Sequence, residues 1–174
     1  LLLVAPLRYR PNLEGLRTFL ALAWPGLRQA FPALRLSVLA GQESERFWDS
    51  NQVPDGVELV DGYVDPAPYY VRASLALNPQ HAVEGSALKL AEAMAHGRVV
   101  VSTESGARGY ESLAADALVR VPDVVSMGPS IANLLANPEQ RWHAEAKARS
   151  AIGSWSWQPR ADRLAALINH LVHR

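Results

Sequence analysis

A chain of 174 residues, 49% hydrophobic and 20% charged, has the length for one domain with a real core, or two small ones at most. Its 17 basic and 17 acidic side chains cancel, so nothing in the charge favours a polyanion, and nucleic acid is not among the expected partners. There is no cysteine for a disulfide framework or a thiolate metal site, and no apolar run approaches the ~20 residues that span a bilayer; a cytoplasmic setting is expected.

The opening run LLLVAPL (1–7) is too short for a signal-peptide core and suits a buried strand closed by the polar loop RYRPN. It begins at Leu1 in what reads as mid-strand, so a segment of a longer protein is expected. Asn12 is placed to cap a helix whose apolar residues Leu16, Phe19, Leu20 and Ala23 recur at helical spacing. Pro25 should break or kink that helix near Trp24. LRLSVLAG (34–41) is a second strand, ESERFWDS a short polar helix, and VELVDGY (57–63), after the turn signal PDG, a third strand. One or two helical turns in DPAPYYVRA lead to a fourth strand, SLALNP (74–79). A helix over 85–96 stops at Gly97, its C-cap. RVVVST (98–103) and ALVRVP (117–122) complete the strands, and the remainder is helical, interrupted near Pro138, Gly153 and Pro159.

Near-continuous apolar strands alternating with helices predict a Rossmann-like α/β fold. We expect an open parallel sheet of about six strands, helices on both faces and a helical C-terminal tail. Such sheets bind ligands outside the carboxyl ends of their strands, where the strand order reverses. The residues of interest therefore follow the strands, at 8–12, 41, 63–65, 80–85 and 103–109.

On the fourth of these connections, Gly85, Lys89, Glu92 and His96 share one stripe of the predicted helix. The plain reading of Lys89 and Glu92 is a solvated pair worth roughly 0.2–0.5 kcal/mol. The other reading comes from position. A helix N-terminus at the carboxyl edge of a sheet offers free N–H groups and a positive dipole end to phosphate, and Gly85 lets an anion approach the backbone. Glu92 can accept two hydrogen bonds from a ribose diol, and Glu84 can serve the hydroxyls of a second sugar. Phosphate, ribose and sugar together describe a nucleotide-sugar.

VEGSALKLAEAMAHGRVVVST resembles the signature region of family 4 glycosyltransferases of the GT-B fold. Their C-terminal domains carry two glutamates separated by seven residues, as Glu84 and Glu92 are, followed by a pattern like E-A-x-A-x-G-x-P-V-V-x-T. The segment LRYRPNLEGLRTFLALAWPGLRQAFPALRLSVLAG is similar to the opening of such domains, where a P-N pair follows the first strand. VELVDGYVDPAPYYVRASLALNP and SGARGYESL resemble the stretches flanking the signature, so the likeness covers roughly residues 1–123. Four residues depart from the pattern. Val99 stands for the usual Pro, Ala5 and Pro6 occupy a place often held by Gly, and Arg108 replaces an acidic residue.

The resemblance implies the donor-binding half of a retaining glycosyltransferase, a hexosyltransferase-type enzyme that uses a nucleotide-diphosphate sugar as donor and no cofactor or metal. By position Glu92 would bind the donor ribose, and Glu84 would contact the transferred sugar or stabilise charge as the bond breaks. Gly85 and Ser86 would offer N–H groups to the diphosphate. Lys89, Arg8 and Arg10 are the candidates for the basic side chain beside it, surface solvation being the other reading of the arginines. Tyr63 and Val64 would meet the base, Tyr63 equally suiting plain packing. The acceptor, a sugar or lipid, would be held by an N-terminal domain outside this chain, and any peripheral membrane association would belong to that half. The setting the resemblance implies is polysaccharide synthesis, and this domain alone should not turn over. A non-catalytic binding module and a nucleotide-sugar epimerase are the alternatives.

Overall fold

The computed structural model describes residues 1–49, 52–81, 87–153, 155 and 157–172, and of residues 159, 160 and 172 it describes only the backbone. Six strands form one parallel sheet: β1 (Leu2–Val4), β2 (Leu36–Gly41), β3 (Val57–Asp61), β4 (Ala76–Asn78), β5 (Val100–Thr103) and β6 (Leu118–Val121). Their order is β3-β2-β1-β4-β5-β6. The chain adds β2 and β3 to one side of β1, then crosses back to place β4 on the other, so the order reverses between β1 and β4. All six strands fall inside the segments expected from sequence, and the sheet is the Rossmann-like one they implied.

Alternation of side chains along each strand feeds two cores. Leu3, Leu36, Val38, Leu77 and Val101 face one side, where they meet α1 (Arg10–Leu22), α2 (Trp24–Ala30) and α5 (Val124–Ala136) through Leu16, Phe19, Leu27, Met127 and Ile131. Leu2, Leu39, Val100 and Leu118 face the other, against α3 (Ala67–Arg72), α4 (Leu88–Ala95) and α6 (Pro138–Gly153). Both faces are thus buried, which is why the strands are apolar almost throughout.

The boundaries differ from expectation where local chemistry intervenes. Asn12 is not an N-cap: α1 starts at Arg10 with Pro11 in its first turn, where a missing N–H costs nothing, so Asn12 lies inside the helix and is buried. The break before Pro25 is real, since α1 ends at Leu22 and α2 begins at Trp24. ESERFWDS yields only a 3-10 turn, Ser44–Arg46. α4 runs from Leu88, after an extended Ala87, while the expected start at 85 lies outside the described residues; it ends as expected before Gly97, whose φ of +72° suits glycine. Pro159 does not interrupt the tail; it sits in the first turn of α7 (Trp157–Val172).

Candidate functional site

The strand order reverses between β1 and β4, the place where open sheets of this kind leave a crevice at the carboxyl ends of their strands. Hydrogen bonds there join Pro6 after β1, Asn12 in the first turn of α1, Gln80 after β4 and Lys89 in α4. Gly15 lets this happen. A Cβ there would lie 2.6 Å from the Pro79 carbonyl oxygen and 3.3 Å from Gln80 Cα, so only glycine lets α1 approach the loop after β4 this closely.

Asn12 joins the pieces. Its side-chain N–H donates to the Pro6 carbonyl oxygen at 3.0 Å. Its Oδ1 accepts from Gln80 Nε2 at 2.7 Å and from Lys89 Nζ at 2.6 Å. Gln80 is buried, and its backbone carbonyl accepts from the Thr103 hydroxyl and from Ser105 Oγ at 3.1 Å, which ties the loop after β5 to the same centre. The Gln80 Oε1 atom is buried with no partner among the described residues. Asn78, fully buried, donates to Ser102 Oγ at 3.2 Å and to the Gly106 carbonyl oxygen at 2.8 Å. The carboxyl ends of β4 and β5 are therefore built from a hydrogen-bonded polar cluster rather than from apolar packing.

Lys89 is half-buried, and burial pulls its pKa down to about 7. No carboxylate forms an ion pair with it among the described residues, so its ammonium rests on a neutral amide oxygen alone. A desolvated cation without a counter-ion gains most from an arriving anion.

Glu92, one turn further along α4, has a different partner. The buried Tyr70 hydroxyl, from α3, donates to Glu92 Oε2 at 3.1 Å. Burial, and then the nearby carboxylate, hold the Tyr70 phenol protonated well above its usual range. Tyr70 also stacks on His96, with ring centroids 4.8 Å apart. The plain reading of a Lys89–Glu92 pair therefore fails: each side chain is held by another element. Glu92 also borders a groove of about 690 Å³ between α4 and α6, shared with Leu88, Trp155 and Trp157.

The other expected residues divide. Glu84, Gly85 and Ser86 lie outside the described residues. Arg8 is exposed beside the crevice and makes no hydrogen bond among the described residues. Arg10 is engaged with Glu14 at 2.6 Å on the exposed face of α1. Tyr63, 71% exposed, and Val64 follow β3 at the far side of the sheet. Trp155, just before α7, stacks on Tyr110 with ring centroids 4.7 Å apart, whereas Trp157 is 83% exposed. No cluster that could hold a metal ion occurs among the described residues, and no helix there is long and apolar enough to cross a membrane. The sequence set Gln80 within the connection of interest without giving it a role, passed over Tyr70 and misassigned Asn12. The signal for Asn12 was Pro11, which pulls the helix start to its own position.

The profile described as "Glycosyl transferases group 1" matches residues 1–137. None of the curated proteins compared matches the sequence. Among solved structures, sucrose-phosphate synthase from Thermosynechococcus elongatus is 22% identical with a TM-score of 0.75, covering 99% of this chain and 45% of its own. The Anabaena protein HepE, solved in complex with UDP-glucose, is 13% identical with a TM-score of 0.67, covering 95% of this chain and 48% of its own. The C-terminal domain of LpcC, a glycosyl transferase group 1 family protein from Francisella tularensis, is 14% identical with a TM-score of 0.62, covering 88% of this chain and 82% of that domain. The chain thus spans less than half the length of the first two.

Proposed function

Because the chain belongs to the glycosyl transferases group 1 family, we propose that it is the donor-binding, C-terminal half of a retaining family 4 glycosyltransferase. Its ligand is a nucleotide-diphosphate sugar, and its partner is an N-terminal domain that brings an acceptor sugar or lipid, with polysaccharide synthesis as the setting. One observation carries this reading: at the crevice where strand order reverses, the Lys89 ammonium is held by the neutral amide of Asn12 with no carboxylate paired to it among the described residues. That is a seat for the diphosphate, whose negative charge grows when the bond from the anomeric carbon to the phosphate oxygen breaks and the electron pair leaves with it. Arg8, exposed at the mouth, is the second cation. Glu92, oriented by Tyr70, is the acceptor for the ribose hydroxyls. Glu84 serves the transferred sugar, and Gly85 and Ser86 offer N–H groups to phosphate. Tyr63 and Val64 border the base. Arg10, already paired with Glu14, is the weakest of the proposed contacts.

The complex of HepE with UDP-glucose supports a donor of this class. Isothermal calorimetry of this chain with UDP- and GDP-sugars, with Glu92→Ala as control, tests the reading. Binding by the parent and a loss of about ten-fold or more in the variant are expected from losing hydrogen bonds to a charged group. Absence of binding, or equal binding by both, would count against it. Alone the domain binds without turnover, so product formed from donor by this chain without acceptor would instead favour an epimerase.

A further inference from the structure

We infer that Asn12 is a positioning residue: its amide oxygen, fixed by Gln80 and Pro6, holds the Lys89 ammonium in the crevice in a state ready to receive a phosphate. The purpose of that ammonium rests on the donor reading above, whereas the role of Asn12 stands on its own geometry.

The orientation of the Asn12 amide is decided by three partners. Two donors, Gln80 Nε2 at 2.7 Å and Lys89 Nζ at 2.6 Å, converge on Oδ1, and a carbonyl oxygen at 3.0 Å receives Nδ2. Turning the amide over would set its N–H groups against an ammonium and another N–H, and its oxygen against a carbonyl, losing all three bonds. Burial of both Asn12 and Gln80 keeps water from substituting for them. The buried Oε1 of Gln80, unpartnered among the described residues, is the cost of this arrangement, since the carboxamide spends its donor on Asn12.

Neutrality is the second half of the device. An aspartate at position 12 would hold the same ammonium at least as firmly, but would neutralise it and repel an incoming phosphate. An amide fixes position without cancelling charge. An ammonium carries three N–H donors, and among the described residues that of Lys89 uses one, on Asn12. The ends of this contact lie 77 residues apart in the chain, on α1 and α4, so the bond also fastens the two helices across the crevice.

The chain's lysines are Lys89 and Lys147, which makes a direct test practical. Isotope-labelled lysine, with Lys147→Arg to assign the signals, reports the titration of Lys89 by NMR without any ligand. Asn12→Asp should raise its pKa by about one to three units. In parallel, calorimetry with inorganic pyrophosphate, UDP and uridine is compared across the parent, Asn12→Ala, Asn12→Asp, Lys89→Met and the double variant Asn12→Ala/Lys89→Met. Pyrophosphate and UDP should each weaken about ten-fold or more in every single variant, uridine should be unmoved, and the double variant should be no worse than Lys89→Met. A Lys89 titration unchanged by Asn12→Asp overturns the inference, as do additive losses in the double variant or a loss for uridine equal to that for UDP. Pyrophosphate binding without UDP binding would remove the nucleotide-sugar reading and leave the role of Asn12 intact. Parent-like pyrophosphate affinity in the Asn12 variants would do the reverse.

Discussion

Gly15→Ala sets two effects of opposite sign against each other. Replacing glycine by alanine inside a helix gains about 1 kcal/mol from propensity alone. At position 15, however, the new methyl would sit 2.6 Å from the Pro79 carbonyl oxygen, 3.0 Å from its carbon and 3.3 Å from Gln80 Cα. All three are backbone atoms, so no side chain can swing aside, and α1 or the loop after β4 must move. Overpacking of this kind costs about 1–3 kcal/mol, and a contact to rigid backbone belongs at the upper end. The net expectation is a destabilisation of about 2 kcal/mol once the propensity gain is subtracted. Gly26→Ala in α2 is the control, because a Cβ there meets nothing within 4 Å; it should stabilise by about 0.5–1 kcal/mol. Urea denaturation of both variants, with the slopes compared, measures the difference directly. Gly15→Ala should also loosen the bond from Gln80 to Asn12 and weaken pyrophosphate binding, which Gly26→Ala should not. If the two alanines stabilise the protein alike, the close approach of α1 to the loop after β4 is not what positions the crevice.

Tyr70→Phe removes the hydroxyl that donates to Glu92 while keeping the ring against His96, so it should cost about 1 kcal/mol of stability and weaken UDP-sugar binding with little effect on pyrophosphate, as calorimetry would record. The pH dependence follows from Lys89, whose pKa is lowered to about 7 in the folded chain and lies near 10.5 when unfolded. Between those values the unfolded chain binds the extra proton, so stability should rise as pH increases from 7 towards 10.5, and Lys89→Met should flatten that rise in denaturation curves. Pyrophosphate affinity should move the other way, falling as pH passes upward through 7 and the ammonium is lost. Gly97→Ala forces a positive φ on a residue with a side chain, where the Arg149 guanidinium already occupies the space; a loss of about 1–2 kcal/mol is expected in thermal unfolding.

Much of this molecule was legible because its signals are local. Apolar runs such as RVVVST and ALVRVP mark strands wherever they fold, and β5 and β6 lie inside them. Gly97 ends α4 because a left-handed residue is needed there and glycine adopts it without strain. The motif spacing from Glu84 to Glu92 pointed to the connection after β4, and α4, which follows it, carries Lys89 to the Asn12 amide at 2.6 Å. Asn12 shows where local reading fails. Its residue type suits a cap, but Pro11 moves the helix start ahead of it and turns the side chain inward.

Composition and periodicity by themselves determined the alternation of strands and helices, the burial of both sheet faces and hence the parallel α/β class, since each depends on neighbours a few residues away. Tertiary structure alone decided what Lys89 and Glu92 touch. On a bare helix three residues apart they would pair with each other; in the fold one reaches Asn12, 77 residues back, and the other meets Tyr70, 22 residues back. The physical reason is that a long side chain settles on whichever buried partner the packed elements bring within reach, and that partner is set by strand order, which no short window of sequence contains.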